Sequence, residues 1–364
     1  MVVSHDYLDG LLRLLSSRDG SDLHLKAGVV PRVRVKGILS ELTDVSAPTA
    51  DDMSHIARST MTASLWDSLE VNRQADYAFS SSDGTRFRVN SFFQRGMISM
   101  AFRRVLNSPS TVEGLGLPPV VTRLANERRG LILVTGPTGS GKTTTLASMI
   151  GHINRTRACH IITIEDPIEV LQRDEKAYIN QREIGSDAVD FALAMKAAMR
   201  EDPDVILVGE MRDEETVHAA IAAAETGHLV LSTLHTTNAK ETVSRIIDFF
   251  PAHQHGQIRA ALAGSLRGVI CQRLVRTNNG GLRPVMEILV GNGRVSQAIV
   301  EPTKGDDIHS IIKDGEFYGM LTFEKSLFDL ISAGMIDVKE ALMAASSPQD
   351  LQVMLQRTGQ FQAS

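Results

Sequence analysis

The sequence predicts an α/β chain in which a small α+β domain precedes a larger domain built on a mostly parallel sheet. Three observations carry this. Downstream of residue 130, near-continuous apolar runs (131–135, 160–165, 204–209 and 228–234) alternate with segments of helical periodicity. Strands apolar on both faces belong inside a sheet covered by helices on either side, the usual setting of parallel strands. Upstream, roughly 6–104, short runs alternate apolar and polar residues, the pattern of antiparallel strands with one wetted face.

In chain order, Tyr7, Leu8, Leu11, Leu12, Leu14 and Leu15 recur at helical spacing, and Gly20 stops the helix. Segments 22–26 and 31–35 read as strands, the second ending in a Lys36-Gly37 turn. One helix is expected over 53–69, then strands over 75–79, 85–90 and 98–103. Turn formers crowd 107–119 and mark a linker. The parallel-sheet domain should occupy 120–347, with Asn238 and Glu241 as a capping box on a helix that stops at Pro251. The Gln- and Ser-containing end, 348–364, reads as a frayed, flexible tail. The resulting domains are 1–106, the linker 107–119, and 120–347 with that tail.

Composition narrows the class. Of 364 residues, 43% are hydrophobic and 22% charged, which disfavours disorder, collagen and coiled coils. A formal charge of −5 weighs against direct nucleic-acid binding, which needs a basic face, without excluding a local patch. Cys159 and Cys271 are too few for a cysteine zinc cluster and read as buried, reduced thiols. The first residues lack a signal-peptide pattern, and no apolar run approaches the ~20 residues of a membrane span. A cytoplasmic protein is expected, touching membrane only through partners.

The chemistry concentrates at Gly136-Pro137-Thr138-Gly139-Ser140-Gly141-Lys142-Thr143. A buried strand, a glycine-rich loop and a helix in that order form a phosphate cradle. The glycines let backbone N–H groups approach phosphate oxygens, and the helix start near Lys142, with Thr144 behind it, adds its positive dipole end. Lys142 should reach the β/γ-phosphates of a nucleoside triphosphate, and the Thr143 hydroxyl should ligate Mg2+. Two further strands deliver acids to the same edge, where open α/β sheets hold ligands. One ends in Glu210; the other runs into Glu165, Asp166 and Glu169 around Pro167. Clustered acids are costly unless a cation is near, which Mg2+ with nucleotide supplies. Glu210 is placed to orient or deprotonate the attacking water. A third strand ends in His235, read either as a phosphate sensor or as a satisfied structural histidine.

Taken in order, these segments resemble the secretion-ATPase superfamily of type II secretion and type IV pili, most closely its pilus-retraction (PilT-type) branch. The resemblance rests on 136–143, on Ile164-Glu165-Asp166-Pro167-Ile168-Glu169 and on Asn180-Gln181-Arg182-Glu183. It continues through 200–204, Val208-Gly209-Glu210-Met211-Arg212-Asp213, 226–230 and Thr233-Leu234-His235-Thr236-Thr237, with 21–25 and 86–90 upstream. It implies a PAS-like N-terminal domain, a RecA-like P-loop domain with a helical C-terminal extension, and a homohexamer acting on an inner-membrane pilus platform protein. It also implies catalytic roles for Glu169, with Glu165 and Asp166 beside it, and for Glu210 and His235. Arg88 and Arg103 become fingers on nucleotide. Two departures bear on the branch. Where retraction members carry an Ala-Ile-Arg helix, this chain has Ala298-Ile299-Val300-Glu301-Pro302-Thr303-Lys304. Conversely, it lacks the tetracysteine insertion of the assembly and secretion branches. An assembly or secretion motor, a nucleic-acid translocase and a nucleotide-gated regulator are the alternatives.

Overall fold

A helix with a leucine stripe opens the chain: α1 (His5–Ser17) buries Leu8, Leu11, Leu12 and Leu15 on one face. The computed structural model describes residues 5–105, 110–302 and 307–358. It divides into two units, one of Met1–Ser108 with Pro167–Leu171, the other of Pro109–Asp166 with Gln172–Ser364.

In the first unit, β1 (Gly20–Lys26), β2 (Val29–Val35) and β3 (Ile38–Glu41) precede α2 (Ala50–Thr60) and α3 (Ala63–Asn72). Then come β4 (Gln74–Ser80), β5 (Arg86–Gln94) and β6 (Met97–Arg104). The six strands form one antiparallel sheet in the order β3-β2-β1-β6-β5-β4. Leu23, Leu25, Phe87, Val89, Met100 and Phe102 pack its inner face against α1 and α2. The single helix expected over 53–69 is two. Thr62 turns extended and accepts a hydrogen bond from Leu65 N, so α3 starts afresh. All of β3 is exposed, which left no alternation for the sequence to show.

The second unit begins with α4 (Pro119–Ala125), β7 (Gly130–Thr135), α5 (Lys142–Thr156), β8 (His160–Glu165) and β9 (Tyr178–Glu183). Next come α6 (Phe191–Ala198), β10 (Val205–Val208), α7 (Glu214–Glu225), β11 (Leu229–Leu234), α8 (Ala239–Asp248) and α9 (His255–Ser265). β12 (Leu266–Arg276) and β13 (Leu282–Val290) are next, then α10 (Gly293–Val300), α11 (Ile308–Asp314), α12 (Phe323–Ser332), α13 (Val338–Ala344) and α14 (Pro348–Arg357). The sheet order is β13-β12-β7-β11-β10-β8-β9, parallel except for β13. Every residue of β7, β10 and β11 is buried. Alternate side chains serve two layers: Leu131, Leu133, Ile206 and Val208 face a core with α6–α9. Ile132, Val134, Val205 and Leu207 face α4 and α5. This is the α/β layering the apolar runs predicted.

Four expectations are corrected. Val112 and Leu117, inside the expected linker 107–119, are buried in the second unit's core. The frayed tail from Pro348 is a helix capped by Ser347, with Leu351 and Leu355 fully buried at i, i+4; 359–364 lie outside the described residues. Asn238 caps α8, but Glu241 reaches Thr237 N rather than Asn238 N, and the helix ends at Asp248 instead of running to Pro251. Cys271 is buried while Cys159 is half-buried; burial pushes both thiols up, away from reactive thiolate. No helix among the described residues is long and apolar enough to cross a membrane.

Candidate active site

At the end of β7 the chain enters the loop through Gly136 at φ 145°, passes Pro137 and Thr138, then Gly139 at φ 78°, and leaves Ser140 through Gly141 at φ 89°. These are conformations that L side chains rarely adopt, which is why the loop is glycine-rich. α5 starts at Lys142 with no side-chain cap, so the N–H groups of its first turn keep their donors directed outward. Lys142 is 9% exposed and its Nζ donates to the carbonyls of Gly136 (2.9 Å) and Pro137 (3.1 Å). Thr143 is half-buried and Thr144 exposed in that first turn. The buried Ser140 Oγ has no protein partner. A concave loop with outward N–H groups, a lysine and an unsatisfied hydroxyl is built to hold an anion.

The parallel register brings the acids to the same edge. Val208 is level with Ile164 on one side and Ser232 on the other, and Leu234 is level with Thr135. The segments leaving β7, β11, β10 and β8 therefore emerge side by side as the loop, His235, Glu210 and Glu165. Glu210 leaves β10 through Gly209, whose carbonyl is fixed by Thr233 Oγ1 at 2.7 Å. Its side chain, 16% exposed, lies between Arg212, which pairs with Oε1, and His235, whose Nε2 stands 3.6 Å from Oε2. The Glu210 hydrogen bond, with Asp166 nearby, holds the Arg212 guanidinium even more firmly charged. Glu165 Oε1 accepts from Thr163 (2.7 Å) and Gln181 (3.1 Å).

The remaining candidates lie in the first unit. Arg88 and Arg103 are direct cross-strand neighbours on β5 and β6. Like charges so placed repel, and each is met by an acid: Arg88 by Glu169 at 3.0 Å, Arg103 by Asp22 at 2.8 Å. Both arginines are thus ion-paired. Burial would raise the Asp22 carboxyl, yet hydrogen bonds from Ser21 and Arg103 outweigh it and hold it below its usual range.

Four residues that sequence reasoning passed over belong to these clusters: Asp22, Arg212, Gln272 and Glu287. Gln272 on β12 is 2% exposed and hydrogen-bonds the phosphate loop. Glu287 on β13 accepts from Ala239 N at 2.8 Å, anchoring the start of α8 just after His235. Gln272 and Glu287 each interrupt an apolar strand, the signal that marks a buried polar group with a task.

The chain is similar to known proteins along most of its length. Residues 98–310 match the family described as Type II/IV secretion system protein. The type IV pilus retraction ATPase PilT of Pseudomonas aeruginosa is 40% identical over 342 residues, covering 93% of this chain and 98% of that one. A twitching motility protein of Neisseria gonorrhoeae is 41% identical over 322 residues, 88% of this chain and 86% of that one. Among solved structures, the crystal structure of the pilus retraction motor PilT with bound ADP superposes with a TM-score of 0.87 at 42% identity, covering 95% of this chain and 99% of that one.

Proposed function

The chain belongs to the type II/IV secretion system protein family, on its pilus-retraction branch, and from that premise we propose a motor ATPase that withdraws pilus subunits. The observation that carries the chemistry is that the phosphate loop and Glu210 leave strands at the same sheet edge, with His235 between them. The loop N–H groups and Lys142 hold the β- and γ-phosphates of ATP. Glu210 accepts a hydrogen bond from the attacking water and draws its proton, and the flanking Arg212 and His235 keep that carboxylate fixed. Glu165 and Asp166 add negative charge beside it. Magnesium, when bound, supplies charge neutralisation across the phosphates. Thr143 would hold that ion through its hydroxyl, an oxygen donor of the kind magnesium takes.

By resemblance, Arg88, Arg103 and Glu169 act on nucleotide from the first unit, which we read as PAS-like; the second is RecA-like with α10–α14 as its extension. A homohexamer, cytoplasmic and docked on an inner-membrane platform protein, completes the proposal. α10 ends at Val300, and Arg259 Nη1 donates to Ile299 O at 3.0 Å. The end of the helix that aligns with the Ala-Ile-Arg segment of retraction members thus holds a guanidinium from α9. The test is pilus retraction in a retraction-deficient strain. Wild type should restore twitching and Lys142→Ala should not; restoration by both would sink the motor reading.

A further inference from the structure

We propose that Gln272 is the positioning residue that sets the orientation of the Ser140–Gly141 peptide and thereby the anion-binding shape of the phosphate loop. The inference rests on the nucleotide reading of that loop. β12 runs parallel to β7, and their register continues to the Cys271–Thr135 pair. There β7 gives way to the loop while β12 goes on, so Gln272 is the first residue of β12 to lie beside the loop. Its Nε2 donates to Ser140 O at 2.6 Å, and its Oε1 accepts from Thr145 Oγ1 at 2.7 Å. Both ends of the amide are committed, which fixes its rotation: turned over, Oε1 would face the Ser140 carbonyl oxygen.

The consequence comes from peptide geometry. In a trans peptide, C=O and the following N–H point in opposite directions. With Ser140 O drawn toward Gln272, Gly141 N–H is turned away from β12. Glycine at φ 89° tolerates either peptide orientation, so the backbone alone does not make this choice. The reverse orientation would present a carbonyl oxygen to an anion. Close packing supports the assignment. A Cβ at Gly141 would stand 2.7 Å from Gln272 Nε2, and one at Gly136 would press into the Gln272 carbonyl oxygen. The Gly141 contact is with the Gln272 side chain, whereas the Gly136 contact is with the backbone of β12. The next residue, Arg273, donates to Ala344 O (2.6 Å) at the end of α13, so the clamp is one residue from the C-terminal helices.

The experiment uses the full-length protein and a fluorescent ADP analogue, with ligand-free melting as a folding control. Gln272→Met and Gln272→Glu should each weaken the analogue at least tenfold, and Thr145→Val severalfold. Thr145→Ser keeps the hydroxyl and should restore wild-type affinity. Gln272→Met/Thr145→Val should bind like Gln272→Met alone, since both act through one amide. In ATP turnover the loss should fall on KM rather than kcat, because the loop grips ground and transition states alike. Wild type that binds the analogue alongside Gln272 variants within twofold of it would overturn this inference alone. Wild type that does not bind would overturn the nucleotide reading with it. If the Gln272 variants do not fold, equal affinity of Thr145→Val and Thr145→Ser overturns the proposal.

Discussion

Gly136→Ala and Gly139→Ala form a paired test of how the phosphate loop is built. Both glycines sit at positive φ, at 145° and 78°. At Gly139 an added Cβ would meet nothing within 4 Å, so Ala there bears only the left-handed backbone cost, about 1–2 kcal/mol. At Gly136 the Cβ would come 2.7 Å from Ser140 Oγ and closer still to the Gln272 carbonyl, a backbone atom held in the sheet. Strain of about 1–3 kcal/mol from φ is then joined by overpacking of about 1–3 kcal/mol. The loop escapes this by leaving its binding shape, so the cost is read as lost affinity. At roughly 1.4 kcal/mol per tenfold, Gly136→Ala should weaken ADP about 100-fold or more, and Gly139→Ala about tenfold. Titration with a fluorescent ADP analogue measures both. Equal losses, or a larger loss at Gly139, would refute the idea that β12 shapes the loop.

Three further outcomes are expected. Asp22→Asn should lower the melting temperature at pH 7. Since the native Asp22 carboxyl is held down, its contribution is present above about pH 3.9 and fades as pH falls through its native pKa, so the deficit should shrink toward pH 3. A deficit independent of pH would dismiss the Arg103 pairing as its source. Burial raises the Glu287 carboxyl, even against the Ala239 N–H bond that favours its charge. Its native pKa thus lies above the unfolded value of about 4.3, and stability is lost as pH rises through it. Glu287→Gln, which keeps the acceptor for Ala239, should gain on wild type in thermal melts as pH rises above about 4.3; a difference constant with pH would contradict this. Leu351→Ala should cost about 2–5 kcal/mol as a core cavity, visible in chemical denaturation. A change under 0.5 kcal/mol would mean that α14 is not part of the core.

What the sequence made legible was whatever leaves a periodic or compositional mark. The strands 131–135 and 160–165 carry apolar residues on both faces, so their place inside a parallel sheet could be read directly, and with it the loop between β7 and α5. Glu210 and His235 were found because each ends such a strand. β3 was missed because an exposed strand has no apolar face, and the α2/α3 break because Thr62 looks like any helical threonine until its backbone turns. α14 was taken for a tail because Leu351 and Leu355 are only two apolar residues among polar ones. The ion pairs of Arg88 and Arg103 join residues 81 positions apart in each case, a separation that local pattern does not encode. Gln272 was passed over for the same reason: its task is set by a loop 132 residues upstream.

The central claim is that the loop and Glu210 form one hydrolytic site, and phosphate release by purified wild type and Glu210→Gln at saturating ATP and magnesium tests it most directly. The glutamine keeps the size of the side chain and removes the base, an effect worth on the order of 10²–10⁴ in rate. Wild type should turn over steadily, while Glu210→Gln should bind the ADP analogue as wild type does and release phosphate at least about 100-fold more slowly. Equal rates in the two proteins, or no turnover by folded wild type, would contradict it.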